Sequence, residues 1–281
     1  MRKIQVNEIT KIIKKLSMEA SIIANDQLIK KIEESVKIEE SSVGKAVLKQ
    51  LLRNIEISKT DKTPICQDTG FTVVFMDIGQ DVSFVGGSLE DAVNKGVGEG
   101  YVEAYLRKSI ILDPISNPRN SNNNTPAILH THIVEGDKVK ITVLPKGGGA
   151  ENMSRIKMLK PADGIEGIKN FVIETVKNAG GNPCPPTVIG VGIGGTFDYV
   201  AYLAKKAIMR DFGDRNKDKQ VAKYEVEWLE EINKLGIGPA GLGGKVTSLD
   251  LFIEVYPRHI ATYPVAVNIQ CNANRKKSIV L

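Results

Sequence analysis

One short stretch, residues 64–70, places a thiol, an amide, a carboxylate, a hydroxyl and a glycine side by side. A polar run precedes this stretch, and the apolar, β-rich run 71–76 follows it and predicts a strand. Cys66 therefore lies where a loop enters a strand, which is a rigid position from which to present a ligand. We interpret the rest of the chain as the scaffold of this loop and of two other cysteine loops.

The two other cysteines, Cys184 and Cys271, also lie at predicted loop edges. Prolines on both sides stiffen the backbone at Cys184, and Cys271 ends a predicted strand. No CxxC spacing occurs, so zinc-ribbon and thioredoxin-like sites have no support. An odd number of cysteines argues against a disulfide framework and for a reducing, cytoplasmic location. The alternative interpretation is that each cysteine is a buried small hydrophobic residue.

Three thiolates from distant parts of a chain suit an iron–sulfur cluster, although the usual complement of such a cluster is four cysteines. A cluster held by three leaves one iron without a protein ligand, and that iron can bind water or a substrate oxygen. An open, Lewis-acidic iron helps a hydroxyl group to leave. The pattern therefore indicates hydration and dehydration chemistry in preference to electron transfer.

Composition narrows the class of protein. The 281-residue chain is 42% hydrophobic and 25% charged, as in an ordinary soluble globular protein. Its net charge of +5 is mild, and residues 275–277 form the only dense basic run, so nucleic-acid binding is not favoured. The N-terminus lacks the apolar region of a secretory signal, and no apolar run approaches the ~20 residues that a membrane span needs. We expect no nucleic-acid or membrane partner.

Helices and strands are mixed along the chain, so the predicted fold class is α+β (mixed α/β). Residues 5–57 carry apolar side chains at helical spacing and predict three amphipathic helices. We expect a single domain, 1–281, with an N-terminal helical lobe over about 1–57 and a cluster-binding α/β region over about 58–281.

Two local signals predict further elements. Ser88, with Asp91 three residues later, predicts the start of a helix. Residues 127–134 and 138–144 alternate apolar and polar side chains around a Glu-Gly-Asp turn, and they predict a hairpin.

Four motifs together resemble the class I, iron–sulfur fumarate hydratase and L-tartrate dehydratase family; they are residues 65–70, 146–152, 182–186 and 190–196. They follow the family's order along nearly the whole chain, and the match covers the family's α portion only. In single-chain members a β portion follows, whereas this chain stops soon after Cys271. The resemblance therefore implies the α subunit of a two-subunit hydro-lyase, paired with a β subunit in a heteromer that we expect to be α2β2.

The resemblance assigns a [4Fe-4S] cofactor to Cys66, Cys184 and Cys271. It also implies that Asp68 is a general acid or base near the open iron, and that Gln67 binds a substrate carboxylate. A carboxylate beside a metal can pass a proton to or from a hydroxyl group within hydrogen-bond reach. The alternative for Asp68 is a turn-forming role.

The family pattern further implies that Arg107 anchors a substrate carboxylate in bidentate fashion, although a solvated charge at a helix end would look the same. The amides of Gly148 and Gly149, in a run of three glycines before a helix, would cradle an anion. A tight turn is the alternative for these glycines. His259, twelve residues before Cys271, would lie near the cluster and take part in proton transfer.

Fumarate and (S)-malate are the expected substrate pair, interconverted by reversible hydration. L(+)-Tartrate is the alternative, because malate and tartrate differ by one hydroxyl group. One arginine and the glycine amides supply too little positive charge to bind two carboxylates. The opposing base and further cations are therefore expected on the β subunit. We therefore expect the chain alone to be inactive.

Two rival functions stay open on the sequence. Residues 190–195 satisfy the dinucleotide-binding pattern G-x-G-x-x-G, after an apolar run and before a predicted helix. The acidic residues at about the required distance, Asp211 and Asp214, lie in a polar run where the pattern needs a strand end. The other rival is a non-enzymatic iron–sulfur carrier, a function that would not explain the presence of Gln67 and Asp68.

Overall fold

The structure, a computed structural model, describes all 281 residues. The helices are α1 (Val6–Ile22), α2 (Asp26–Ile38), α3 (Ser42–Asp61), α4 (Leu89–Glu103), α5 (Gly148–Glu151), α6 (Gly164–Ala179), α7 (Phe197–Ala207) and α8 (Lys219–Asn233). The strands are β1 (Arg2–Gln5), β2 (Phe71–Gly79), β3 (Val82–Val85), β4 (Ile111–Leu112), β5 (Arg119–Asn120), β6 (Ile128–Val134), β7 (Val139–Lys146), β8 (Arg155–Leu159), β9 (Thr187–Gly195), β10 (Ser248–Arg258), β11 (Tyr263–Gln270) and β12 (Lys277–Val280). This mixture confirms the predicted α+β class. None of the helices has the length and apolar content that a membrane crossing requires.

The chain forms two compact units. The first unit comprises Met1–Asn25, Ile55–Gly148 and Arg275–Leu281, and the second comprises Asp26–Asn54 and Gly149–Asn274. The sequence predicts one domain with a helical N-terminal lobe. In the structure the helices of that lobe are shared between the units, because α1 belongs to the first unit while α2 and most of α3 belong to the second.

The first unit is built on a mixed sheet with the strand order β12-β7-β2-β6. Its hydrophobic core holds the apolar face of α1, which includes Ile9, Ile13 and Leu16. Val74 and Met76 of β2 belong to the same core, and α4 packs along α1. Two short pairs, parallel β1–β3 and antiparallel β4–β5, complete the unit.

The predicted hairpin between residues 127–134 and 138–144 is wrong, because β2 lies between the two strands. β2 pairs parallel with β6 and antiparallel with β7. It is buried along nearly its whole length, so an interior position gives its backbone a hydrogen-bonded neighbour on each side. The turn after β6 bonds instead to the end of β2, where the amide of Gly79 donates to the carbonyl oxygen of Lys138 at 2.8 Å.

The second unit is built on a sheet with the strand order β10-β9-β11-β8. The central strand β9 runs parallel to β10 and antiparallel to β11. Its odd-numbered side chains, Ile189, Val191 and Ile193, share a core with Val172 of α6 and Trp228 of α8. The helix α7 packs on β9 and β11.

Gly190 and Gly192 of β9 are the positions that α7 approaches most closely. A Cβ on Gly190 would lie 2.2 Å from the carbonyl oxygen of Ala204, and a Cβ on Gly192 would lie 2.2 Å from that of Val200. Any side chain would therefore push helix and strand apart. In a dinucleotide-binding fold the glycines form the turn that approaches the pyrophosphate. Here these two lie inside a strand and serve packing, so the dinucleotide-binding alternative loses its support.

A buried carboxylate, Glu39, holds the turn between α2 and α3 to the glycine-rich loop before β10. Its oxygens accept hydrogen bonds from the amides of Glu40, Ser41, Lys245 and Val246 at 2.8 to 2.9 Å. Burial by itself raises the pKa of the Glu39 carboxyl, but these four amides outweigh it and hold the pKa below its usual value of 4.5. The contribution of Glu39 to stability is therefore present above that value and is lost as the pH falls through the folded-state pKa.

Replacing Glu39 by glutamine is expected to lower the free energy of unfolding by about 2 kcal/mol at neutral pH, since the amides lose a charged acceptor. The difference from the unchanged chain should shrink as the pH falls below 4.5. Urea denaturation across pH measures both effects. Glu40→Gln, at a neighbouring exposed carboxylate, is the matched control. An equal loss in both variants would contradict this role of Glu39.

Candidate active site

The loop after Cys66 is fixed from inside by Thr69, whose side chain is fully buried. Thr69 Oγ1 donates to the carbonyl oxygen of Arg107 at 2.6 Å. Its own carbonyl oxygen accepts a hydrogen bond from the Tyr101 hydroxyl at 2.9 Å. Burial is the largest cause that raises the pKa of Tyr101 above its usual 10.0, so the phenol stays protonated and keeps donating. Thr69 therefore ties the loop both to the Arg107 segment and to α4.

Asn124 joins the same two segments a second time. Its side-chain amide donates to the carbonyl oxygen of Gly70 at 3.0 Å, and its Oδ1 accepts from the amide of Ser109 at 2.7 Å. Asn124 is completely buried and has a φ of 65°, in the left-handed region that asparagine tolerates better than most residues. The loop that bears Asp68 and the segment that bears Arg107 are thus held in one arrangement.

Replacing Asn124 by glycine is expected to lower the free energy of unfolding by about 2 kcal/mol, because two buried backbone groups lose their partners. Asn124→Ala should cost about 1 kcal/mol more, because alanine is strained at this φ and glycine is not. Chemical denaturation measures both losses. Asn122→Gly is the control, since Asn122 has a φ of 62° but is exposed. A loss at residue 122 as large as that at residue 124 would contradict this account.

Asp68 is partly exposed, and both of its carboxylate oxygens are held by backbone amides. Oδ1 accepts from the amide of Gly70 at 3.1 Å, and Oδ2 accepts from the amide of Gly148 at 2.8 Å. The Gly148 amide thus already binds an anion of the chain itself, this carboxylate, and a role for Gly148 in substrate binding stays a prediction. An oriented, accessible carboxylate is suited to general acid or base chemistry.

Two other predicted substrate-binding residues flank this carboxylate. Gln67 precedes Asp68 and is exposed. Arg107 is also exposed, and the bond from Thr69 fixes the position of its backbone. Cys66, on the other side of Gln67, is partly exposed. The first unit therefore presents a thiol, an amide, a carboxylate and a guanidinium from two segments that are bonded to each other.

In the second unit the loops of Cys184 and Cys271 are bonded to each other. The backbone amide of Asn272 donates to the carbonyl oxygen of Cys184 at 3.2 Å, and its side-chain amide donates to the same oxygen at 2.8 Å. Cys184 has a φ of 56° between its flanking prolines, and the cis bond Pro185-Pro186 follows it. The prediction that distant cysteine loops converge holds for this pair.

Two residues close to Cys271 in sequence carry buried polar groups without partners. Gln270 is completely buried, and neither its amide nitrogen nor its amide oxygen has a hydrogen-bond partner. The same is true of Oδ1 of Asn274, which is 2% exposed. Such orphaned buried groups are costly unless a bound group satisfies them. No disulfide engages Cys66, Cys184 or Cys271, so the donor set fits an iron–sulfur cluster. Neither unit by itself groups three His, Cys, Asp or Glu side chains around a metal position, and the three-cysteine ligand set stays a prediction.

His259 is not brought to the cysteine loops within the second unit. It lies in the turn after β10, and the whole of β11 separates it from Cys271. At about 3.3 Å per residue, that strand spans roughly 25 Å. His259 is exposed, and its Nδ1 accepts a hydrogen bond from the amide of Ala261 at 3.1 Å. A role for His259 in proton transfer stays a prediction that proximity to Cys271 does not support.

Gly149 and the two histidines of β6 have simple surroundings. Gly149 opens the chain segment of the second unit and is exposed, and a Cβ there would lie 3.5 Å from the carbonyl oxygen of Asn182. On β6, the ring of His130 lies 4.8 Å from that of Phe75, and Nδ1 of His132 lies 3.8 Å from a carboxylate oxygen on β2. These contacts give both histidines cross-strand partners in the sheet.

The structure adds residues that the sequence analysis missed. In the sequence, Tyr101 is an ordinary helix residue and Asn124 an ordinary residue of an asparagine-rich loop. Their hydrogen bonds to Thr69 and Gly70, which are distant in sequence, show that they hold the Asp68 loop in place. Arg275 belongs to the run 275–277, which the sequence treats as a basic surface, yet Arg275 is 2% exposed. Its position four residues after Cys271 is the only sequence signal that sets it apart.

Comparison with known proteins matches residues 10–280 to the family model for fumarate hydratase (fumerase). A protein of Methanocaldococcus jannaschii named "Putative L(+)-tartrate dehydratase subunit alpha" is 44% identical over 275 residues, which cover 96% of each chain. L(+)-tartrate dehydratase subunit alpha of Escherichia coli strain K12 is 32% identical over 278 residues, or 98% of this chain and 91% of that protein. The resemblance inferred from the four motifs is confirmed, and this chain belongs to the fumarate hydratase (fumerase) family.

Proposed function

We propose that this chain is the α subunit of a [4Fe-4S]-dependent hydro-lyase that adds water to a four-carbon dicarboxylate and removes it again. The substrate pair that we put first is fumarate and (S)-malate. The observation that carries the proposal is the Asp68 carboxylate, held by two backbone amides and separated from Cys66 by a single residue. Membership of the fumarate hydratase family supports the reaction class.

Cys66, Cys184 and Cys271 are the proposed ligands of the cluster. Their lack of disulfides and the orphaned amide of Gln270, the residue that precedes Cys271 in sequence, support this assignment. When bound, a cluster with three cysteine ligands supplies one iron that has no protein ligand and acts as a Lewis acid toward a substrate hydroxyl group.

Asp68 is the proposed proton-transfer group. Its carboxylate accepts a proton from water in the hydration direction, and its carboxylic acid returns the proton to the departing hydroxyl group in the other direction. The amides of Gly70 and Gly148 keep its two oxygens oriented during this exchange. Gln67 and Arg107 are proposed to bind a substrate carboxylate, and the backbone amide of Gly149, an exposed residue, is a further candidate for that task.

L(+)-Tartrate is the second candidate substrate. The Methanocaldococcus and Escherichia relatives carry the name of that activity, and they match this chain along nearly its whole length. Tartrate has one hydroxyl group more than malate, so a site that accepts it needs an additional hydrogen-bond partner.

A β subunit is the proposed partner, in an α2β2 heteromer of the cytoplasm. The "subunit alpha" names of the relatives support a second subunit. Elimination of water needs groups on both faces of the substrate, and we propose that the opposing base comes from the β subunit.

The proposal is tested by purifying the chain under anaerobic conditions, with and without the β subunit, and following fumarate, (S)-malate and L(+)-tartrate in separate assays. We expect turnover of one substrate pair only when both subunits and the cluster are present, and loss of activity in air because an open iron is oxygen-sensitive. Iron–sulfur loading without turnover of any of these substrates would favour a non-enzymatic carrier and contradict the proposal.

A further inference from the structure

Arg275 is a buried cation whose guanidinium group has no hydrogen-bond partner. It begins the last segment of the first unit, and its side chain is 2% exposed. None of its three guanidinium nitrogens has a hydrogen-bond partner. A guanidinium stays charged at any physiological pH, and a buried charge without a partner is strongly unfavourable. The guanidinium therefore has three buried donors for which the chain supplies no acceptor.

The guanidinium group and the Asp68 carboxylate both approach Gly147. A Cβ built on Gly147 would lie 3.1 Å from Asp68 Oδ2 and 3.4 Å from Arg275 Nη2. Both groups also act on Tyr101, where the charge of Arg275 lowers the pKa and that of Asp68 raises it. Asp68 offers no hydrogen bond to Arg275, because its oxygens accept from the amides of Gly70 and Gly148, and the guanidinium nitrogens stay without an acceptor although the opposite charge is close.

Gly147 leaves unfilled the small space that a side chain would occupy beside these two groups. It is buried, and its φ lies outside the left-handed region, so its backbone does not require a glycine. What requires glycine is the approach of the two charged side chains, since a methyl group would press against both. The space accordingly has a permanent cation on one side and an oriented carboxylate on the other.

We propose that Arg275 binds one carboxylate of the dicarboxylate substrate beside Asp68. A carboxylate fits the planar fork of a guanidinium through two parallel hydrogen bonds, which would satisfy the orphaned nitrogens. This inference rests on the proposed function and deepens it. With Arg107, the chain then offers two guanidinium groups for the two carboxylates of the substrate, so part of the cationic complement that the sequence analysis places on the β subunit lies on this chain.

The test measures the binding of succinate, a dicarboxylate with no hydroxyl group to lose, to the anaerobically purified α–β complex by calorimetry. Arg275→Gln should weaken succinate binding about 100-fold, and Arg275→Lys should lie between this variant and the unchanged enzyme. Arg119→Gln, at an exposed arginine of the same unit, should bind succinate as the unchanged enzyme does. Gly147→Ala keeps both charged groups but fills the space, and it should weaken binding about tenfold.

Butyrate, a monocarboxylate of the same length, separates a binding role from a structural one. The unchanged enzyme should prefer succinate, and Arg275→Gln should abolish most of that preference. An equal loss for both acids, or unchanged succinate binding in Arg275→Gln, would overturn the inference. Turnover by the unchanged enzyme is scored separately. An active enzyme with normal succinate binding in the variants overturns only the role of Arg275, whereas an inactive enzyme whose succinate binding depends on Arg275 overturns only the proposed function.

Discussion

Replacing Cys184 by alanine is expected to abolish iron–sulfur incorporation, and Cys66→Ala and Cys271→Ala should each do the same. The chain has only three cysteines, so no spare thiolate can take the place of a lost one. Each variant is reconstituted with iron and sulfide under anaerobic conditions, and iron, acid-labile sulfide and visible absorbance are then measured. We expect close to no bound iron in all three.

Asn272→Ala is the matched control for this series. It removes the two hydrogen bonds to the carbonyl oxygen of Cys184 but leaves every thiol in place. We expect it to retain a cluster, because all three thiols are still present. Thermal denaturation should show that all four variants fold. A full complement of iron in any one cysteine variant would remove that residue from the ligand set.

Replacing Asp68 by asparagine is expected to lower turnover by about 10²- to 10⁴-fold while iron and sulfide contents stay unchanged. Asparagine has the same shape, but it cannot carry a proton to or from the substrate. The side-chain NH2 group of asparagine also replaces one of the two oxygens that accept from backbone amides, and it cannot accept a hydrogen bond. A small loss of stability should therefore accompany the loss of activity.

The control for Asp68 is Asp81→Asn, at an exposed carboxylate of the same unit. Steady-state rates at saturating substrate compare the two variants, since a proton-transfer role should appear in kcat. Full activity in Asp68→Asn would remove Asp68 from the mechanism. A parallel loss of activity and of iron would assign Asp68 to cluster assembly instead.

Local sequence is sufficient where the physical cause is local. The apolar spacing of α1 predicts its buried face, and Ile9 and Ile13 are buried accordingly. Ser88 Oγ accepts a hydrogen bond from the amide of Asp91 at 3.3 Å, as expected for the start of α4. The positions of the cysteines at loop edges are also local properties, and the structure confirms them.

Contacts between residues that are distant in sequence could not be predicted, because they depend on how the elements pack. A short turn between β6 and β7 suggests that these two strands pair with each other. They pair instead with β2, because the buried strand β2 takes the position between them. The glycines of β9 look like a phosphate loop until the approach of α7 is seen. Arg275 shows the same limit at the site, because a basic run gives no sign of which member is buried.

Mössbauer spectroscopy of the reconstituted α–β complex tests the central claim most directly. The account predicts a cluster of four irons, one of which changes its spectrum when fumarate, (S)-malate or L(+)-tartrate is added, because that iron has no cysteine ligand. A protein that binds no iron under these conditions, or a cluster in which no iron responds to any of the three acids, would contradict it.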